Sequence, residues 1–266
     1  MRTSILDSTS SFLYDCPVPN NKKPFPKDKL QKLLDDLERR RPKGRAVAAF
    51  DADGTLWDTD LGEMLFGYQV DKKLVPLPDD PWGHYEHLKV AESHPVAYLW
   101  LAQVNKGVPL TQVRSWAEEA VRKHDPLPIF DEQWKILEKL KSLDVEIYIV
   151  TASITWAVEP GARRLGLRDD QVIGIETHVV DGKITEKQKG VITYREGKAE
   201  AILARTGGLA PYFAAGNTEG DKWLLECASE LRLVMSASPA GTENGITEAK
   251  MLALAKERGW YSHRFE

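Results

Sequence analysis

Leu30, Leu33, Leu34 and Leu37 recur at i, i+3, i+4 and i+7, and that spacing predicts an amphipathic helix stopped by Arg41-Pro42-Lys43-Gly44. The period then changes. Ala46-Val47-Ala48-Ala49-Phe50 is a short apolar run bounded by charge, the mark of a strand buried on both faces. A second such run, 145–150, follows a helical spacing at Ile136, Leu137, Leu140 and Leu143. Further strand candidates lie at 171–175, 212–215 and 231–235, most of them separated by helical patterns. Strands alternating with helices predict an α/β fold with a Rossmann-like parallel sheet. Asp181-Gly182, set between Val179-Val180 and Lys183-Ile184, predicts a small hairpin.

Between the first two strands the pattern is helical only. Val113, Trp116, Ala117, Ala120 and Val121 share one helix face, with Thr111 placed to cap it, and the run 96–104 reads as another helix closed by Gly107. A block of this length exceeds a simple crossover and predicts an inserted helical cap. The expected organisation is an N-terminal arm over 1–27, broken by Pro17, Pro19, Pro24 and Pro26, a core over 28–57 and 131–266, and a cap over 58–130.

Composition narrows the function. The chain has 266 residues, 42% hydrophobic and 29% charged, which describes an ordinary globular protein and excludes a disordered or disulfide-built one. Its two cysteines, Cys16 and Cys227, lie far apart in no metal-ligand spacing, as in a reducing compartment. The net charge is −4 with no basic block, a poor match to general nucleic-acid binding. The longest uncharged, largely apolar stretch, 147–158, is too short to span a bilayer, and no signal-peptide core follows Arg2. These features predict a cytoplasmic protein without a membrane partner.

The sharpest chemical feature follows the first strand directly: Phe50-Asp51-Ala52-Asp53-Gly54-Thr55-Leu56-Trp57. Ligands of open α/β sheets bind beyond the carboxyl ends of the strands. Two carboxylates there, two residues apart, suit a hard cation and a phosphate; a simple capping turn at Asp53 is the plainer alternative. The segment resembles motif one of the haloacid dehalogenase superfamily, Asp-x-Asp-x-Thr. Thr151, in Thr151-Ala152-Ser153 after the second apolar run, matches motif two. Lys198, in Gly197-Lys198-Ala199-Glu200, matches motif three ahead of Lys187 and Lys189. Asn217-Thr218-Glu219-Gly220-Asp221 matches motif four, with Asn217 where the family usually has aspartate.

The resemblance implies a magnesium-dependent phosphatase acting on a small phosphorylated metabolite. Asp51 is then the nucleophile that forms an aspartyl-phosphate, and Asp53 the acid and base for leaving alcohol and water. Thr151 and Lys198 hold the phosphate. Asp51, the carbonyl of Asp53 and Asn217 hold Mg2+, with Asp221 orienting Lys198 or a metal-bound water. Because an amide lacks charge, Asn217→Asp is expected to tighten magnesium.

The cap position resembles that of the branch holding phosphoserine and phosphorylcholine phosphatases. Asp60, nine residues after Asp51, and Glu63 are the candidates to meet a substrate amine, and Trp57 is a further specificity candidate among many cap aromatics (Phe66, Tyr68, Trp82, Tyr85, Tyr98, Trp100 and Trp116). No arginine stands between Arg45 and Arg114 to fork a phosphoserine carboxylate, which ranks a phosphorylated amino-alcohol above phosphoserine. Three other readings stay open: a phosphoserine phosphatase, a phospho-aspartate receiver, and a weakly active or inactive phosphate-binding homologue motivated by Asn217.

Overall fold

The structure is a computed structural model that describes residues 22–265. The residues 1–21 of the expected arm, with Cys16, lie outside the described residues. Helix α1 (Lys27–Arg39) buries Leu30, Leu33 and Leu37, with Leu34 packed alongside, so the leucine stripe is its core face. Strand β1 (Val47–Phe50) is buried throughout. Four helices follow: α2 (Leu61–Lys72), α3 (Pro81–Ala91), α4 (His94–Gln103) and α5 (Leu110–Arg122). The chain continues through α6 (Asp131–Ser142), β2 (Glu146–Ile154), α7 (Thr155–Arg164), β3 (Val172–Val180) and β4 (Lys183–Lys189). It ends with α8 (Glu196–Thr206), β5 (Phe213–Gly216), α9 (Lys222–Cys227), β6 (Leu231–Ser236), α10 (Glu243–Arg258) and β7 (Tyr261–Arg264).

The strands form one sheet in the order β4-β3-β2-β1-β5-β6-β7, parallel except for the β3–β4 pair. Strand order runs outward in both directions from β1, so the carboxyl end of β1 stands at the switch point where α/β sheets open a crevice. Helices α1 and α6 pack on one face with Phe50, Ile147 and Phe213, while α8, α9 and α10 cover the other over Val47, Ala49 and Val234. Helices α2 to α5 pack around Leu65, Phe66, Tyr85, Ala97, Leu101, Val113 and Ala117, and this cluster continues onto Ile154 and Ile175 of the sheet and Trp156 of α7. Among the described residues, no helix is long and apolar enough to cross a membrane.

One local expectation fails, one is extended, and one strand lies where none was expected. Thr111 does not cap α5: Pro109 precedes the helix, and its carbonyl accepts from the N–H groups of Gln112 and Val113 at 2.9 and 3.2 Å. A proline fixes the entry φ without a capping side chain, which moves the start ahead of Thr111. The hairpin at Asp181-Gly182 is a full edge element, because β4 carries Lys-Ile-Thr-Glu-Lys-Gln-Lys, and charge protects such an edge better than an apolar run. Strand β7 has no apolar run either; it is half-buried along its whole length, and its sequence lacks the period that identifies a strand.

Helix α7 meets α2 so closely that a Cβ on Gly161 stands 2.7 Å from both Leu61 Cδ1 and the Trp57 ring. Overpacking of this kind costs about 1–3 kcal/mol. Gly161→Ala is therefore expected to lower the free energy of denaturant unfolding by about 1–3 kcal/mol. An unchanged midpoint and slope would show that α7 and α2 separate freely.

Candidate active site

The site is built where β1, β2 and β5 end. The N–H of Asp51 donates to the Ala215 carbonyl at 2.9 Å, which extends the β1–β5 pairing by one residue and fixes the Asp51 backbone rigidly. Gly54, at φ +74°, turns the chain back so that its N–H donates to Trp57 O at 2.9 Å. Only glycine fits there, because a Cβ would lie 2.3 Å from Asn217 Nδ2. This close approach brings the first motif against the fourth.

Lys198, in the first turn of α8, is buried, and its Nζ donates to Asp51 Oδ1 and Asp221 Oδ1. Asp221 Oδ2 in turn accepts from the N–H groups of Asn217 and Thr218 at 3.0 and 2.9 Å, so it orients both Lys198 and the motif-four loop. Thr55 Oγ1 lies 3.1 Å from Asp51 Oδ2 and 3.3 Å from Asn217 Oδ1. Thr151 is buried, lines the same cavity, and accepts the Ser153 N–H on its hydroxyl at 3.0 Å. The structure therefore brings Asp51, Asp53, Thr151, Lys198, Asn217 and Asp221 to one cavity of about 740 Å³. Lys187 and Lys189 stand apart on exposed β4.

The two motif-one acids have different surroundings. Burial, reinforced by Asp221, pushes the Asp51 carboxyl up to about 7, against the pull of the Lys198 ammonium. Burial also raises Asp53, opposed by three donors: Leu61 N–H at 2.9 Å and Trp57 Nε1 at 2.8 Å on Oδ1, and Ser153 Oγ at 2.7 Å on Oδ2. Burial alone would lower Lys198, but Asp221 and Asp51 overcome it and hold the ammonium above its ordinary value.

Three carboxylates, Asp51, Asp53 and Asp221, face one ammonium here. That imbalance, and the convergence of Asp51 Oδ2 and Asn217 Oδ1 on one hydroxyl, make an oxygen-only donor set that fits a hard cation. Among the described residues, no three His, Cys, Asp or Glu side chains are placed to hold a metal ion by themselves, so the fit depends on the Asn217 amide and a backbone carbonyl.

The expected specificity residues separate. Asp60 and Glu63 line the cavity; Asp60 caps α2 by accepting the Glu63 N–H at 2.7 Å. Trp57 does not line it. Its ring is fully buried among core residues and its indole N–H is committed to Asp53, so it supports the acid and cannot meet a substrate. The cap aromatics also divide: Tyr85 and Tyr98 reach the cavity, whereas the rings of Trp82 and Trp100 pack 4.7 and 5.5 Å from that of Phe66. Ser153, Lys89, His94 and Tyr194 line the cavity without having been singled out by any motif. Ser153 had one usable signal, its place two residues beyond Thr151.

Two acids at the end of a central strand, a lysine bridging two carboxylates and residues of the α2–α4 helices thus line one cavity. Residues 48–226 match the haloacid dehalogenase-like hydrolases, and the chain belongs to that family. It is 27% identical over 202 residues to phosphorylcholine phosphatase of Pseudomonas aeruginosa, a match covering 61% of this chain and 57% of that protein. The chain thus spans little more than half of that relative's length. A protein of unknown function from Bordetella pertussis superposes with a TM-score of 0.64 at 18% identity, covering 83% of this chain and 98% of that one. One from Anaerococcus prevotii gives 0.66 at 13% identity, covering 92% and 93%. At such identities the likeness is one of fold.

Proposed function

We propose that this protein is a phosphatase that hydrolyses a small phosphate monoester through a phosphorylated Asp51. The observation that carries this reading is the placement of buried Asp51 at the end of β1, held by Lys198, with a second, half-buried acid, Asp53, beside it. Lys198 neutralises Asp51 and the arriving phosphate, and Asp221 fixes the lysine's direction. The Thr151 hydroxyl binds a phosphate oxygen. Asp53, whose pKa burial raises, gives its proton to the departing alkoxide and then takes one from the attacking water. Asp51, the Asp53 carbonyl and Asn217 would hold Mg2+, which supplies charge neutralisation on the transferring group. Asp53 separates this reading from a phospho-aspartate receiver, which needs no leaving-group acid. Helices α2 to α5 serve as the lid that selects the substrate.

The relative's name and the cavity wall favour a phosphorylated amino-alcohol. Asp60 has no ion-pair partner among the described residues, and burial beside Asp53 raises its pKa well above the ordinary value, so a substrate cation would relieve it. Tyr85 already takes a cation on its face, the Lys89 ammonium 4.1 Å from the ring centre. The test is turnover of phosphocholine, phosphoethanolamine and phosphoserine with magnesium and with chelator. Chelation should abolish activity, and kcat/KM should favour the two amino-alcohol esters. Asp60→Asn should lower kcat/KM for the two amino-alcohol esters by up to about fivefold, the worth of a charge pair of about 1 kcal/mol. A native preference for phosphoserine would reverse the substrate assignment.

A further inference from the structure

Glu248 of α10 is wholly buried directly behind Asn217. Its Oε1 accepts from Asn217 Nδ2 at 3.2 Å and from Ser238 Oγ at 2.7 Å. Its Oε2 accepts from Ser236 Oγ at 3.0 Å and from the N–H groups of Ala237 and Ser238 at 3.1 and 3.0 Å. Both oxygens thus face donors, and an ionised carboxylate is the side chain that only accepts. The carboxylate in turn decides which end of Asn217 it meets. With Nδ2 turned to Glu248, Oδ1 is left on the Thr55 hydroxyl that also touches Asp51.

We propose that Glu248 is the positioning residue of the cation site. It fixes the Asn217 carboxamide with its oxygen toward Asp51, and it holds behind that amide the negative charge that an aspartate would carry in front. The proposal rests on the reading of Asn217 as a magnesium ligand. It also reverses the expectation that Asn217→Asp by itself tightens magnesium: the new carboxylate would face the Glu248 carboxylate with no donor between them. Identity at the two positions is coupled. In Asn217→Asp/Glu248→Gln the amide of the new glutamine donates to the new aspartate, its oxygen still accepts the Ala237 and Ser238 N–H groups, and the serine hydroxyls rotate to suit.

The test is calorimetric titration of metal-free protein with magnesium chloride alone, together with the melting temperature without metal. Asn217→Asp should bind magnesium no more tightly than the native protein and should melt lower, by about 5 °C or more, as two buried carboxylates meet. The double variant should recover the melting temperature and bind magnesium about tenfold more tightly, because an anionic ligand replaces a neutral one. If Asn217→Asp alone tightens magnesium as much as the double variant, the ligand reading stands and Glu248 plays no positioning part. If neither variant changes the affinity, residue 217 is not a ligand and both readings fall. A double variant that melts below each single one also overturns the pairing, since the two changes would then add instead of compensating.

Discussion

Asp51→Asn is expected to abolish turnover of every substrate, with kcat falling about 10³-fold or more and no phosphorylated protein trapped on acid quench. The amide that replaces the carboxylate is the same size, so the β1 end, the Lys198 contact and the fold should persist. This separates loss of the nucleophile from loss of structure, which circular dichroism and melting of the variant check directly. Burial and Asp221 raise the Asp51 carboxyl, and Lys198 opposes them. A group whose folded pKa is raised is protonated more readily in the folded protein, so in the native enzyme activity should fall on acidification as the nucleophile takes up its proton. Retained turnover or retained phosphoprotein in the variant would move the chemistry away from Asp51 altogether.

The second large effect depends on the leaving group. Asp53→Asn removes the proposed proton donor, and general acid catalysis is worth about 10²–10⁴-fold. The loss should reach that size for an alkyl phosphate, whose alkoxide leaves badly without a proton. It should be far smaller for p-nitrophenyl phosphate, whose nitrophenolate needs none. The native enzyme should also lose kcat toward alkyl esters as pH rises through the elevated pKa of Asp53, and the variant should lack that alkaline limb. Equal losses on both esters would mean that Asp53 acts by holding the loop, through Trp57 and Leu61, and not by giving a proton.

The chemistry-bearing positions were legible where a local pattern carries them. The apolar run ending at Phe50 announces a buried strand, and the acids that follow can only stand at its carboxyl end. Lys198 was legible because it opens a helix, and Asn217 because it follows another buried run. What the chain does not display is contact between distant segments. Trp57 looks like a substrate-facing aromatic until the turn at Gly54 folds it under Asp53, and Glu248 is one acid among several on a mixed helix until its contacts with Asn217 and Ser236 to Ser238 are known. Ser153 was similarly hidden, since a serine beside Thr151 acquires meaning only from an acid 100 residues earlier in sequence. In each case the missing information is a side-chain partner across the fold.

Strand β1 is the innermost element of the sheet, flanked on each side by parallel neighbours, and Asp51 is its direct continuation. Elements of that kind open only in global unfolding, whereas partly exposed surface helices open at lower cost. Durability is therefore distributed unequally over the reaction. The proposed nucleophile lasts as long as the molecule does, while the helical wall proposed to discriminate between substrates can loosen first. On warming, fidelity should decay before competence: the protein should become less choosy about which ester it accepts while it still has the means to cleave one.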